Sequence, residues 1–340
     1  MIKFLRKILD ANAHRFENNG VLKQLYPLYE ATDTILFSTD EVTKSGPHIR
    51  DSIDIKRVMI LVVIALIPLY IFGAMNVGVQ NGIAMGVERT NWEQFWFGFD
   101  KIIPIILVAF ITGAFWEILF AVVRKHPISE GFLVTCALIP LVMPASIPLW
   151  QVSIATSFGI VIGKEIFGGV GMNIFNPALV ARAFLFFTYP GRISGDKVWV
   201  IGPDGYSGAT ALAVPAAEVN QHAVSLLNGV TQFDYSWWNM LVGWIPGSIG
   251  ETSKLLIIMG AIFLAITKIA NWRVMAGSLI GLGVTAYLTN LMAPFSSNTM
   301  LSLPAHYHLV MGGFLFGMAF MATEPVTGCH TNQGRWVYGI

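Results

Sequence analysis

The chain has 340 residues, of which 54% are hydrophobic and 12% are charged, and its mean hydropathy is +0.62. A soluble domain carries about 25% charged residues, so this chain has too few charges to cover a globular surface. The composition therefore excludes a water-soluble fold and indicates an integral membrane protein. The two cysteines, Cys136 and Cys329, are too few for an iron–sulfur cluster, which needs about four thiolates. Any redox chemistry requires an organic cofactor.

Stretches with few or no charges indicate the membrane spans. The first, at 58–79, has 22 residues without a charge, enough to cross a hydrocarbon core of roughly 30 Å. The third contains Pro140, Pro144 and Pro148, which predict a discontinuous helix. An all-α fold with eight crossings follows, at 58–79, 102–123, 132–150, 151–163, 170–189, 255–270, 274–293 and 306–323.

The charge distribution predicts the orientation. The first 57 residues hold nine lysines and arginines and no apolar core of a signal peptide, so we expect them in the cytoplasm. Five crossings then place the polar segment 191–236 on the outer face. The chain is thus divided into a cytoplasmic extension (1–57), a first transmembrane half (58–190), an outer loop (191–236) and an incomplete second half (237–340). The tryptophan-rich segment 237–250 is expected to be interfacial or re-entrant.

Two polar residues precede prolines at the ends of apolar stretches, in Asn176-Pro177 and Glu324-Pro325. Their similar placement hints at two related halves. Helices broken by proline and glycine at membrane depth are tolerated where they line a cavity or contact other protein, and transporters use them to bind ligands. The pattern therefore favours a binding fold.

The outer loop contains a turn signal followed by small residues. In Pro203-Asp204-Gly205, proline sets φ and glycine accepts positive φ. The small residues from Ser207 onward leave the hydroxyl of Thr210 sterically open. By turn chemistry alone, an ordinary loop threonine is the simpler interpretation.

The sequence Ser207-Gly208-Ala209-Thr210 resembles a signature at which flavin mononucleotide (FMN) is attached, through its phosphate, to the final threonine. The signature belongs to the NqrB/RnfD family of membrane proteins, found in the sodium-translocating NADH:quinone oxidoreductase (NqrB) and in the Rnf complex (RnfD). Segments 163–169, 173–187, 204–212 and 321–325 are similar to the family in order and spacing. The resemblance covers essentially the whole chain and implies ten helices in two inverted halves, the last two lying beyond Ile340.

The N-terminal extension, through segments 28–31 and 50–57, resembles the sodium-translocating branch. That branch implies a component of a respiratory sodium pump in the bacterial inner membrane, which passes electrons from FMN via riboflavin to ubiquinone and is coupled to sodium export. Its partners are the other subunits of the pump (A, C, D, E and F), membrane lipid and quinone. An RnfD-type electron-transfer protein and a channel or transporter without redox activity are the alternatives.

The resemblance also implies site residues. It makes Thr210 the FMN anchor, with Asp204 and Ser207 in the same motif. Asn173 and Asn176 match the surroundings of a non-covalent riboflavin, and amides suit the donor and acceptor edge of a flavin. The alternative that these asparagines cap the helix broken before Pro177 stays open.

The quinone region of the family corresponds to 112–117, where Gly113 and Ala114 would let a ring approach the backbone. Ala114 stands where the family usually has a second glycine. Glu117 lies mid-span, where an isolated charge costs at least roughly 2.5 kcal/mol, so it either faces a cavity or is protonated. Glu324 matches a family aspartate implicated in sodium handling, and a helix-capping role is the alternative. Glu117 and Glu324 are thus the expected sodium path.

Other candidate sites are set aside. His306 and His308 are two residues apart and point to different helix faces, so no metal site is expected. Arg182 is expected either to balance a flavin or lipid phosphate or to pair with Glu165. The chain has no dinucleotide fingerprint, so it does not bind NADH itself, and no nucleic-acid partner is expected.

Overall fold

A computed structural model of the chain describes residues 2–16, 20, 22–23, 26–37, 45–46, 55–126, 128 and 131–340. In these residues the chain is helical, and the only β-type pairing is one isolated bridge between Val219 and Asn298. The α-helices are α1 (Ile2–Phe16), α2 (Tyr26–Leu36), α3 (Ile55–Met85), α4 (Asn91–Arg124), α5 (Gly131–Leu141), α6 (Leu149–Val161), α7 (Pro177–Thr188), α8 (Pro190–Ile193), α9 (Ala213–Ala217), α10 (Ala223–Gly229), α11 (Trp237–Val242), α12 (Lys254–Ile266), α13 (Trp272–Met292), α14 (Ala305–Val310), α15 (Phe314–Phe316) and α16 (Asn332–Gly339).

Three helices of the described chain are long and apolar enough to cross a membrane. They are α3 with 31 residues, α4 with 34, and α13, which a short 3-10 turn extends to Phe295. At 1.5 Å per residue, α3 and α4 are each longer than the hydrocarbon core is thick. The expectation of an all-α polytopic membrane protein is confirmed.

The other five predicted spans are not continuous helices of that length. The third is broken, as its prolines predict: α5 ends at Leu141 and α6 begins at Leu149. The last is also broken, into α14, α15 and a π-helix at Gly317–Met321. The spans at 151–163, 170–189 and 255–270 coincide with α6, α7 and α12, which have 12 or 13 residues each. The broken ends at membrane depth must therefore be covered by protein.

The break between α5 and α6 is covered by the segment before α12. The amides of Ile249 and Gly250 donate to the carbonyl oxygens of Met143 and Leu141, at 3.2 and 2.8 Å. These bonds satisfy carbonyl groups that the end of α5 leaves unpaired. The predicted interfacial segment 237–250 contributes this cover, and its own helix α11 has six residues, too few to span.

Helices α3 and α4 pack closely through glycine. A Cβ at Gly98 of α4 would overlap the Ala74 carbonyl oxygen of α3, and one at Gly78 would overlap the Gln94 carbonyl oxygen. Close backbone approach through small residues is the usual packing mode of membrane helices. This pair anchors the main apolar core, to which α5, α7, α12 and the π-helix also contribute.

The segment 191–236 folds around a second apolar core of its own. Val200, Phe233 and Tyr235 of this segment pack with Leu303 and Met311, which flank α14. Two polar bonds join the segment to the helical bundle. The Asn81 amide donates to the Ile201 carbonyl oxygen at 2.5 Å, and the Ser146 hydroxyl donates to that of Val198 at 2.6 Å. The predicted outer loop is thus a packed unit. Its location on the outer face stays a prediction.

The N-terminal extension is described in part. Helices α1 and α2 are joined by an ion pair between Arg6 and Asp33 at 3.0 Å, and Lys56 at the start of α3 pairs with Glu30 at 3.2 Å. Of the motifs that resemble the sodium-translocating branch, residues 50–54 lie outside the described residues, as do the side chains at positions 28 and 31.

Candidate functional site

The Thr210 loop begins with a tight turn. The Tyr206 amide donates to the Pro203 carbonyl oxygen at 3.1 Å, which closes a β-turn around Asp204 and Gly205. Gly205 has φ +85°, a conformation that only glycine adopts readily. The turn predicted from Pro-Asp-Gly is confirmed, and the Asp204 side chain is exposed at its tip.

The backbone on both sides of Thr210 is fixed by hydrogen bonds. The Tyr235 hydroxyl donates to the carbonyl oxygen of Ala209, the residue before Thr210. The Thr210 carbonyl oxygen accepts from the Ala213 amide at 2.9 Å, at the start of α9. Tyr235 is 1% exposed, and burial raises the pKa of its hydroxyl because the phenolate would lose its hydration. The hydroxyl therefore stays a donor.

The motif residues before Thr210 are packed against the loop. A Cβ at Gly208 would lie 2.6 Å from a methyl carbon of Val200, so only glycine fits there. The Gly208 amide donates to the Asp196 carbonyl oxygen at 2.6 Å. Ser207 is half-buried, and no hydrogen bond to its hydroxyl occurs among the described residues. The glycine of the motif is thus required for packing.

The Thr210 side chain itself is half-buried, and its hydroxyl has no hydrogen-bond partner in the part of the chain that the structure describes. A phosphoester requires a hydroxyl that is accessible and not engaged in other bonds. The arrangement of a free hydroxyl on a fixed backbone therefore fits the attachment of FMN.

Glu117 is not an isolated carboxyl, which corrects the expectation from the sequence. It contacts the ammonium of Lys164, and both side chains are 2% exposed. Lys164 also lies 3.4 Å from Glu165, and Glu165 pairs with Arg124 at 3.0 Å. The charges alternate along this string of four residues. The cost of burying Glu117 is offset by a protein cation from the glycine-rich segment 163–169.

Gly113 does not face open space. A Cβ there would overlap the Cys136 sulfur and lie 3.0 Å from the Phe132 ring and 3.2 Å from Ile160. The expectation that a ring approaches the backbone at Gly113 is therefore corrected: this glycine lets α5 and α6 pack against α4. Ala114, one residue along, is half-buried.

The two asparagines have different roles. Asn176 is the N-cap of α7, where its side-chain oxygen accepts from the amides of Ala178 and Leu179 at 2.9 and 3.3 Å, so the capping alternative holds for this residue. Asn173 donates to the Phe175 carbonyl oxygen at 3.0 Å. Its side-chain oxygen is buried and has no hydrogen-bond partner in the described chain.

That unpartnered oxygen bears on riboflavin. A buried polar atom without a partner is costly, and native structures usually satisfy it with a ligand or water. The Asn173 oxygen can accept from an N–H group such as the one a flavin ring carries. The residue therefore fits a flavin neighbour, whereas the Asn176 oxygen is fully used by the helix.

Glu324 contacts the other half of the chain. Its carboxylate accepts from the Asn176 side-chain amide at 2.9 Å and from the Thr327 hydroxyl at 2.8 Å. The two polar residues that precede prolines, noted in the sequence, thus meet in space. Glu324 does not cap a helix through a backbone amide in these bonds, and its second oxygen has no hydrogen-bond partner among the described residues.

Arg182 does not pair with Glu165, so that alternative is wrong: Glu165 is held by Arg124 and Lys164. One guanidinium nitrogen of Arg182 is buried without a hydrogen-bond partner in the described residues. The sequence also missed the roles of Lys164 and Tyr235. Lys164 could have been found as a second charge in apolar surroundings, whereas nothing in the loop sequence marks Tyr235.

Comparison with known proteins places this geometry in a family. The NQR2, RnfD, RnfE family matches residues 42–340. A protein of Chromohalobacter salexigens is 46% identical over 357 residues, covering 99% of this chain and 84% of its own. One of Azotobacter vinelandii is 46% identical over 359 residues (99% and 87%), and one of Yersinia pestis is 43% identical over 364 residues (98% and 87%). Each of these three is named as the B-type subunit of a Na(+)-translocating NADH-quinone reductase. The resemblance drawn from the motifs is confirmed, and the chain belongs to the NQR2, RnfD, RnfE family.

Proposed function

We propose that this chain is the membrane component of a respiratory sodium pump that carries FMN on Thr210 and passes electrons to ubiquinone, coupled to sodium export. The names of its relatives support the pump and the oxidoreductase complex. The observation that carries the flavin is local: the Thr210 hydroxyl is free while the backbone on both sides is fixed. The relatives compared are all named for the quinone reductase, which favours quinone over the electron acceptor of an RnfD-type protein.

A second flavin, riboflavin, is proposed beside Asn173. When bound, a flavin supplies the electron-transfer chemistry that protein side chains lack. The contribution of the chain is a buried acceptor on Asn173 and a rigid start of α7, fixed by the Asn176 cap. Attachment of FMN through its phosphate leaves the ring electronically free, so Thr210 is an anchor and not a catalyst.

For the quinone, Ala114 stays the candidate on α4, because the Gly113 position is filled by α5 and α6. For sodium, Glu324 is the stronger candidate, since its carboxylate has oxygen to spare while that of Glu117 is paired with Lys164. Carboxylate and amide oxygens are hard ligands, as an alkali cation requires.

We also propose the setting. The chain has no dinucleotide fingerprint, so the other subunits of the complex deliver electrons from NADH. The membrane is the bacterial inner membrane, with 1–57 in the cytoplasm and Thr210 on the outer face, as the lysine and arginine distribution predicts.

The anchor is tested by two variants of one motif. We expect Thr210→Ala to abolish flavin fluorescence of the denatured chain on a gel, because the ester needs this hydroxyl. Ser207→Ala is the matched control, a hydroxyl three residues away, and should retain most of the fluorescence. Persistent fluorescence in Thr210→Ala would overturn the assignment, and would reopen the interpretation as a channel without redox activity.

A further inference from the structure

Two tyrosines of the Thr210 loop are buried in the same apolar core but differ in one bond. The rings of Tyr206 and Tyr235 both contact the Phe233 ring, with centroids 6.3 and 5.8 Å away. The Tyr235 hydroxyl donates to the Ala209 carbonyl oxygen. The Tyr206 hydroxyl is buried without a hydrogen-bond partner in the described chain.

The Tyr235 bond acts next to the attachment residue. The carbonyl group of Ala209 and the amide of Thr210 belong to one rigid peptide plane. Fixing the carbonyl oxygen therefore fixes the orientation of that plane, and with it the direction of the Thr210 side chain. The Ala213 amide fixes the following plane through the Thr210 carbonyl oxygen.

We propose that Tyr235 is a positioning residue for covalent flavin attachment: it holds the Ala209–Thr210 peptide so that the Thr210 hydroxyl is presented to the attaching enzyme. This inference rests on the proposed function of Thr210. It assigns a purpose to a buried hydroxyl that lies 25 residues from the motif and would not be recognised as part of it.

The reaction requires an activated flavin phosphate, for which a flavin dinucleotide suffices. The Thr210 oxygen forms a bond to the phosphorus on the flavin side, and the phosphoanhydride bond of the donor breaks. The nucleoside monophosphate leaves with the bridging oxygen, and the hydroxyl proton passes to a base of the attaching enzyme. A correctly directed hydroxyl accelerates such a step because its orientation is already set before the encounter.

The test uses the full chain, produced without flavin attachment and purified in detergent. The chain is incubated with a purified flavin transferase and flavin dinucleotide, and the covalent flavin is followed by gel fluorescence over time at several chain concentrations. Parent, Tyr235→Phe, Tyr206→Phe and Thr210→Ala chains are compared. Each phenylalanine variant removes one hydroxyl from the same core.

We expect Tyr235→Phe to lower the maximal attachment rate about five-fold, in line with the loss of one buried hydrogen bond, and to reach the parent's final stoichiometry. Tyr206→Phe should match the parent in both. A merely structural role would instead lower the final stoichiometry, because part of the chain would be misfolded. Equal rates for Tyr235→Phe and parent, equal slowing in both phenylalanine variants, or a lowered plateau with an unchanged rate would each overturn the inference.

The proposed function fails separately, since a parent chain that gains no flavin would overturn the role of Thr210 itself. If Tyr235→Phe gives no folded chain, the double variant with Tyr206→Phe replaces it. Removing an unpartnered buried hydroxyl is neutral or stabilising and offsets the loss. The Tyr206→Phe single variant is then the reference, and the same rate ratio is expected.

Discussion

Glu117 carries its charge inside an apolar helix, and the residue that makes this possible is Lys164. Both side chains are almost fully buried, and Lys164 also approaches Glu165 at 3.4 Å. Removing one partner of a buried ion pair is far more costly than replacing both, because the remaining charge loses its compensation.

The first prediction follows for this pair. We expect Glu117→Gln to destabilise the chain by about 3 kcal/mol, seen as a lower melting temperature in detergent. The double variant Glu117→Gln with Lys164→Met should recover most of that loss, since no buried charge is left without its partner. A Glu117→Gln chain as stable as the parent would show that the pair does not form, and Glu117 would return as a free carboxyl on the sodium path.

Part of the site was predictable at this scale and part was not. The turn at Gly205 and the small residues before Thr210 are local, so the sequence indicated them. The Lys164 contact to Glu117 joins residues 47 apart, and the Tyr235 bond joins residues 26 apart. Such pairings depend on how helices and loops pack, which periodicity and turn chemistry do not determine.

Among the elements, the breaks in the helices are the features that bring the site residues together. The start of α7 and the segment after the π-helix meet through Asn176 and Glu324 at 2.9 Å. The prolines after both residues indicated that helices break there. The lengths of the broken helices did not follow from hydropathy, because an apolar run looks the same whether it is one span or a half-helix with an apolar loop.

This contact gives a prediction about sodium. Glu324→Gln keeps the shape and an oxygen that accepts from Asn176 and Thr327, but removes the charge. We expect a higher sodium concentration for half-maximal quinone reduction by the assembled complex, with an unchanged melting temperature. Thr327→Val is the control, because it removes a hydrogen bond to the same carboxylate and leaves the charge. A sodium titration of Glu324→Gln superimposable on the parent's would remove this residue from the ion path.

For the whole molecule, composition and charge distribution were enough to predict a polytopic all-α membrane protein, and the family followed from the motifs. The packing of segment 191–236 around its own core was not foreseen, since its apolar residues are too scattered to form a pattern. That core fixes Thr210 beside the bundle through Asn81 and Ser146. The position of a flavin relative to the spans is thus a property of the complete fold.

The central claim is that this chain carries FMN covalently on Thr210. The intact mass of the chain, purified from cells that attach flavin, measures this directly. We expect the sequence mass plus one flavin mononucleotide less one water, with the increment located on the peptide that contains Thr210 and absent from Thr210→Ala. A chain at its plain sequence mass in such cells, or an increment on another peptide, would contradict the account.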